Sequence, residues 1–158
     1  MWATGGRKPE RIEVNRVEEL LTIGQKVLAS QPFSVLIGAA LVRLEAGVAE
    51  IHIPVEQALK QQHGFLHGGV ISYAADNAIT FAGGSLLGQS VVTAEFKINF
   101  LKPCMGKLLV ARATVIDQGK RSAVCRCEIF MRGDEEQKLC AVAQGTVSIL
   151  EQKDSWTT

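Results

Sequence analysis

The sequence predicts an α+β fold in which one antiparallel sheet wraps around a single central helix, and three observations predict it. Residues 67–87, HGGVISYAADNAITFAGGSLL, are apolar around nearly the whole helical circumference, the pattern of a helix enclosed by protein. Four strand-like segments follow, joined by turns so short that neighbouring strands must run antiparallel. Two further strand-like segments and an amphipathic helix precede it, so one helix stands among the strands that must cover it.

Taken in order, residues 17–30 place Val17, Leu20, Leu21, Ile23, Val27 and Leu28 mostly at three- and four-residue spacing, which predicts an amphipathic N-terminal helix with Asn15 as its N-cap. Pro32 ends it. Residues 33–44 and 47–53 read as two strands joined by a tight turn at Glu45, Ala46 and Gly47, and Pro54 closes the second. Residues 55–62 are polar and allow one helical turn, and His63, Gly64, Phe65 and Leu66 form the loop into the central helix. Beyond that helix the strands are 91–101, 107–117, 122–131 and 137–149, separated by turns at 103–106, 118–121 and 133–136. In the first of these, Val92, Ala94, Phe96, Ile98 and Phe100 alternate with Thr93, Glu95, Lys97 and Asn99, so the two sets are expected on opposite faces.

A chain of 158 residues holds one domain, placed at 15–150 between a flexible N-terminal segment, 1–14, and a C-terminal tail, 151–158. The 47% hydrophobic and 21% charged content is ordinary for a globular protein. With 17 basic and 16 acidic side chains the net charge is +1, which supplies no global field to recruit nucleic acid or an anionic membrane. Residues 1–11 lack the apolar stretch of a secretory signal and no run reaches the ~20 apolar residues of a membrane span, so a cytoplasmic location is expected. Cys104, Cys125, Cys127 and Cys140 form no C-x-x-C pair and no histidine is spaced to complete a zinc site, so they are expected as reduced, buried small hydrophobes.

Three features then act together: His67-Gly68-Gly69, Asp76 nine positions beyond His67, and VVTAEFKINFLKP at 91–103. With the order of elements from residue 33 to 149, they resemble the phenylacetate-pathway (PaaI-like) branch of the hot-dog thioesterases. The tripeptide alone is common; the combination is specific. The resemblance implies hydrolysis of an acyl-CoA to a free acid and coenzyme A without a metal or redox cofactor, coenzyme A entering only as part of substrate and product. It implies that Asp76 is the general base or nucleophile, that the Gly68 backbone N–H polarises the thioester carbonyl, and that the Thr93 hydroxyl helps to hold the attacking water. Many relatives place an asparagine six residues before the histidine. Here that position is Gln61, whose amide donates the same hydrogen bond from one methylene further out.

The residues fit that chemistry. Thioester hydrolysis generates an oxyanion, and a helix N-terminus offers unpartnered N–H groups and a positive dipole end where the charge develops. Gly68 and Gly69 leave room for a carbonyl to approach, although glycines here would also serve a tight loop-to-helix turn. His67 is expected to support the site by hydrogen-bonding neighbouring backbone rather than by relaying protons. Asp76 lies among Ala74, Ala75, Ala78 and Ile79, where a buried carboxylate is costly unless partnered; a structural tie to a backbone donor or to Asn77 is the simpler alternative to catalysis.

Nine helical residues advance ~13.5 Å and rotate through about 900°, so Asp76 faces away from His67. Both can serve one carbonyl only if a two-fold dimer brings Asp76 of one copy to the Gly68 end of the other. A homodimer is therefore expected, extending to a homotetramer if dimers pair. Apolar residues from both subunits, Phe65, Leu66 and Phe81 among them, are expected to line the acyl pocket, though each would suit plain core. Lys97, Lys102, Lys107, Lys120 and Arg121 are candidates for the coenzyme A phosphates, though each is more simply a solvated surface charge, and the hydroxyls of Ser72, Tyr73, Thr80 and Ser85 read as packing or local hydrogen bonds. A serine hydrolase lacks its G-x-S-x-G elbow here, and a hot-dog hydratase its arrangement of histidine and acid. A hot-dog dimer that binds acyl-CoA without hydrolysing it stays open, with Asp76 as the discriminating residue.

Overall fold

The structure, a computed structural model, describes residues 9–88, 90–134 and 136–150. Helix α1 spans Pro9–Ala29. Asn15 therefore lies inside this helix and is not its N-cap. Of the 1–14 segment expected to be flexible, residues 9–14 belong to α1, while 1–8 and the 151–158 tail lie outside the described residues. No described helix is long and apolar enough to cross a membrane.

Residues 33–44, expected as one strand, divide in two: a short helix α2, Pro32–Leu36, and a strand β1, Ala40–Glu45. Pro32 starts the helix because its fixed φ suits the first turn and its missing N–H would have had no helical partner there; Gln31 before it is extended. Within α2 the apolar side chains are not core: Phe33, Val35 and Leu36 are exposed and Ser34 is buried, and core packing resumes at Ile37. Gly38, at φ 69°, then turns the chain into β1.

β1 and β2 (Val48–Pro54) form the expected hairpin, with Glu45 paired to Val48 across the turn. A 3-10 turn at Gln57–Leu59 leads to α3, Gly68–Leu87, capped by His67 at one end and by left-handed Gly88 at the other. The remaining strands are β3 (Val91–Phe100), β4 (Leu108–Gln118), β5 (Ser122–Arg132) and β6 (Gln137–Ile149). All pair antiparallel in the order β1-β2-β4-β5-β6-β3, which leaves β1 and β3 at the edges.

The sheet packs on α3 through Ala74, Ala75, Ala78 and Ala82, all fully buried; such small side chains let the strands come close on that side. Ile51, Ile53, Leu109, Ile129 and Val147 complete the core from the strands. The α+β wrap and the additional N-terminal helix are therefore both present. The enclosure of α3 is one-sided, however: Tyr73, Asp76, Asn77, Thr80 and Phe81 remain partly exposed.

The alternation expected along β3 is broken. Thr93 pairs with Val147 and Glu95 with Thr146, so Ala94 is an extra, unpaired residue and the strand bulges there. One inserted residue exchanges the faces of everything before it relative to everything after it. Thr93 opposite buried Val147, and Phe96 and Ile98 opposite buried Gly145 and Ala143, consequently share the inner face instead of lying on opposite ones.

Candidate active site

The bulge aims Thr93 at the central helix. Its Oγ1 donates to Asp76 Oδ1 at 2.6 Å, joining an edge strand to the middle of α3. Thr80, one turn beyond Asp76, places its Oγ1 2.9 Å from the Asp76 carbonyl oxygen and 2.8 Å from Thr93 Oγ1. Each hydroxyl has one proton: that of Thr93 goes to the carboxylate, and that of Thr80 goes either to the Asp76 carbonyl or to Thr93 Oγ1, which can accept it. Asp76 is thus partnered and partly exposed on the uncovered helix face, in contrast to the full apolar enclosure its alanine neighbours suggest. The bond to the Asp76 carbonyl is the local hydrogen bond expected of Thr80; its contact with Thr93 was not expected, and the signal for it is the i+4 spacing from Asp76, which puts both on one face.

At the start of α3, His67 is exposed and its Nδ1 accepts the Gly69 N–H at 2.9 Å. That contact requires an unprotonated Nδ1 and makes His67 a side-chain N-cap. Gly69 was expected to contact substrate, but its N–H is occupied by this cap. The His67 carbonyl accepts from Val70 and Ile71. Among the described residues, none accepts from the Gly68 N–H, which leaves it as the available donor at the positive end of α3.

Gly68 opens onto a cleft of about 350 Å³ that also holds Gln61, Phe65 and Leu66. Its other wall is the end of β3 and the loop after it, including Phe100, Lys102 and Cys104. The Phe100 ring lies over Gly68 at the distance of ordinary contact, 3.5 Å from where a Cβ would be. Gln61, Phe65, Leu66 and Gly68 are thereby brought together, and Phe100, unsuspected from sequence, joins them.

Phe81 is not with them. It lines a separate groove of about 600 Å³ between α1 and α3, together with Thr80. Phe65 and Leu66 precede α3 while Phe81 lies more than three turns along it, so within one chain they line two different hollows. Asp76 and Gly68 are likewise separated by eight residues of helix, ~12 Å of rise.

Around this face, Tyr73 donates to Ser34 Oγ at 2.5 Å and Ser34 to Gln31 Oε1 at 2.6 Å, which pins α2 to α3. Burial, and then the nearby Asp76 carboxylate, push the Tyr73 hydroxyl above its ordinary range and keep it a donor. On the outer face of the sheet Glu50 accepts from His52 Nε2 at 2.6 Å and from Arg112 Nε at 2.8 Å. All four cysteines are free and buried.

A family model described as the thioesterase superfamily matches residues 63–138, the stretch that carries the α3 N-terminus, Asp76 and Thr93. The chain is 31% identical to the acyl-coenzyme A thioesterase PaaI of Escherichia coli over 110 residues, 69% of this chain and 76% of that one. It is 29% identical to the 1,4-dihydroxy-2-naphthoyl-CoA hydrolase of Listeria monocytogenes, over 72% of this chain and 91% of that one. Among solved structures, a thioesterase family protein from Silicibacter pomeroyi superposes with a TM-score of 0.78 at 34% identity, over 82% of this chain and 96% of that one. The carboxylate, the free helix-terminal donor and these relationships lead to one conclusion: the chain belongs to the thioesterase superfamily, in its PaaI-like hot-dog branch, and is a thioester hydrolase.

Proposed function

We propose that this protein hydrolyses acyl-coenzyme A thioesters to a free carboxylic acid and coenzyme A, at a site assembled from two copies of the chain. The observation that carries the reading is the Asp76 carboxylate, held at 2.6 Å by Thr93 on the helix face the sheet leaves uncovered. The Gly68 N–H lies too far along the same helix to reach a carbonyl at that carboxylate. The free edge of β3 resolves the separation. Val92 and Phe100 are exposed apolar residues on this edge strand, and Leu101 follows them. Two-fold antiparallel pairing of β3 with its copy covers the unpaired edge and sets the two α3 helices side by side in opposite directions, Asp76 of one beside Gly68 of the other. The same operation unites the Gly68 cleft of one protomer with the Asp76 face of its partner. A pair of such dimers would give the tetramer.

Within the site, Asp76 takes a proton from water while that water's oxygen attacks the thioester carbon, and Thr93 holds the carboxylate in place. The carbonyl oxygen becomes an oxyanion that accepts from the Gly68 N–H; its collapse expels the coenzyme A thiolate, which takes up the proton held by Asp76 and so restores the carboxylate. If Asp76 attacks directly, the intermediate is a mixed anhydride that water then opens. His67 occupies the Gly69 N–H and not that of Gly68, and Gln61 lies within the same cleft to hydrogen-bond the substrate. Water, carboxylate and backbone donor balance the reaction without a further cofactor. The four free, buried cysteines suit a reducing compartment such as the cytoplasm.

The test is release of free thiol from a panel of acyl-CoAs by the natural chain, Asp76→Asn and Asp76→Ala. Both variants are expected to lose about 10²–10⁴ in kcat. Unchanged release would remove Asp76 from the mechanism, and no release by the natural chain from any acyl-CoA would leave a protein that only binds them. A single turnover in ¹⁸O water tests the nucleophile: label in Asp76 requires an anhydride opened at the Asp76 carbonyl, whereas label only in the product fits either the base or an anhydride opened at the acyl carbon, which hydroxylamine trapping of the acyl-enzyme then distinguishes.

A further inference from the structure

Two hollows flank the working face of α3, and they differ in chemistry. The cleft at Gly68 includes polar Gln61 and charged Lys102. The larger groove between α1 and α3, about 600 Å³, has no charged residue among the described residues that line it. α1 contributes Leu20, Ile23 and Val27, three- and four-residue spacing along one helix face; α3 contributes Thr80, Phe81 and Gly84. Ile23 and Val27 are 53% and 47% exposed, apolar side chains with open space beside them.

The groove is a fixed gap. α1 already touches the sheet at Gly24, where a Cβ would stand 2.6 Å from Leu44 Cδ2 and 2.7 Å from Leu41 Cδ2. The helix cannot settle further onto the sheet to close the space next to it. Thr80 joins this groove to the reaction centre, because its Oγ1 is 2.8 Å from Thr93 Oγ1 and Thr93 donates to Asp76. A carbonyl brought to Asp76 thus has the mouth of an apolar groove beside it. Gln31, Asn77, Ser85 and Ser90 also line the groove and can meet amides, but the phosphates that end the coenzyme A arm find no charged partner among the described residues there. The acyl arm matches Leu20, Ile23, Val27, Leu44 and Phe81. The α1 side chains concerned lie outside the residues matched by the superfamily model, 63–138.

Resting on the thioesterase reading above, we infer that the groove between α1 and α3 holds the acyl chain and that α1 determines which chain lengths are accepted. Val27→Trp, at a half-exposed position, fills the groove without entering the core. The experiment measures kcat/KM for acetyl-, butanoyl-, octanoyl- and phenylacetyl-CoA with the natural chain and the variant, and octanoate binding to both by calorimetry. The natural chain is expected to gain several-fold in kcat/KM per added methylene until the groove is filled. Val27→Trp is expected to lose about tenfold or more with octanoyl-CoA, chiefly through KM, and to stay within about twofold with acetyl-CoA. Octanoate should bind the variant about tenfold more weakly. A uniform loss for all substrates, an unchanged octanoyl-CoA rate, or equal octanoate binding would overturn the inference. So would a changed oligomeric state with an unaltered chain-length profile, since the groove would then be a subunit contact. If the natural chain hydrolyses no thioester yet binds octanoate in a way Val27→Trp blocks, the groove assignment holds and the hydrolase reading falls.

Discussion

Gly145 stands opposite Phe96 in the ladder between β6 and β3 with no space for a side chain: a Cβ there would lie 2.6 Å from Phe96 Cβ and 2.6 Å from the Glu95 carbonyl oxygen. Only the Glu95–Thr146 pair separates it from the bulge that turns Thr93 inward, so the close approach of the two strands and the aim of the Thr93 hydroxyl are parts of one arrangement.

Gly145→Ala is therefore expected to push β3 outward at the bulge. It should destabilise by ~1–3 kcal/mol as an overpacking change, read as a lower melting temperature, and should also lower kcat. Thr93→Val, which keeps the shape and removes the donor to a carboxylate, should lower kcat by about 10–100-fold with little change in melting. In the Thr93→Val background, Gly145→Ala should add little further loss of kcat. A Gly145→Ala protein that melts earlier yet turns over at the natural rate would separate the bulge from the site.

Subunit complementation tests the shared site. Gly68 is the first helical residue, and His67 before it is already extended at φ −66° and ψ 137°, so Gly68→Pro fits the backbone while deleting the N–H. Alone it should lose about 10²–10³ in kcat. Mixed by co-refolding with equal Asp76→Asn, it should regain about a quarter of natural activity: half the dimers are mixed, and each has one intact site of two. No regain on mixing would place Asp76 and Gly68 in separate duties.

The outer face of the sheet predicts a pH dependence of stability. Burial alone would push the Glu50 carboxyl up, but the hydrogen bonds from His52 and Arg112 and their charges outweigh it and hold the group below its ordinary range. A carboxyl lowered on folding contributes stability that is complete above the ordinary glutamate value and is lost as pH falls through its folded value. The urea midpoint of the natural chain should thus exceed that of Glu50→Gln at pH 7, with the difference shrinking below about pH 4.3 and vanishing beneath Glu50's own lower value. A difference constant from pH 7 to pH 3 would show that ionisation of Glu50 is not its source.

The cysteines should be silent in the folded protein. Burial, followed by neighbouring Cys140, pushes the Cys104 thiol up to about 12, and burial pushes Cys125 up to about 11; Cys127 is raised further by the same cause. The thiolate is the reactive form, so a disulfide reagent at pH 8 should find no fast-reacting thiol until denaturant is added, and then all four. Rapid reaction of one thiol in the folded state would mean that its site opens to solvent. The expected silence also allows coenzyme A release to be followed with the same reagent.

Much of the fold was legible because the signals that specify it are local. Apolar spacing located α1, the apolar circumference of residues 67–87 located α3, and turn residues separated the last four strands. The exception was local as well: Phe33, Val35 and Leu36 look like a strand to periodicity alone, and Pro32 turned them into a helix whose apolar side chains stay exposed. The site was legible only as a set of residue types. Asp76 and Thr93 were named from the resemblance, but strict alternation put Thr93 with Glu95 and Lys97, away from the helix it actually bonds.

The sequence by itself determined the fold class, the order of elements and the position of an acid within an otherwise apolar helix, because each depends on neighbours within a turn or two. Only the tertiary structure decided that Thr93 faces inward, that Thr80 completes the hydroxyl pair, that His67 occupies the Gly69 N–H and leaves Gly68 free, and that Phe81 belongs to a groove beside α1. The reason is register. Which way a strand residue points, and which hollow a helix residue lines, is set when β3 closes against β6, some 50 residues further along the chain by their pairing, and that contact leaves no periodic trace in either segment.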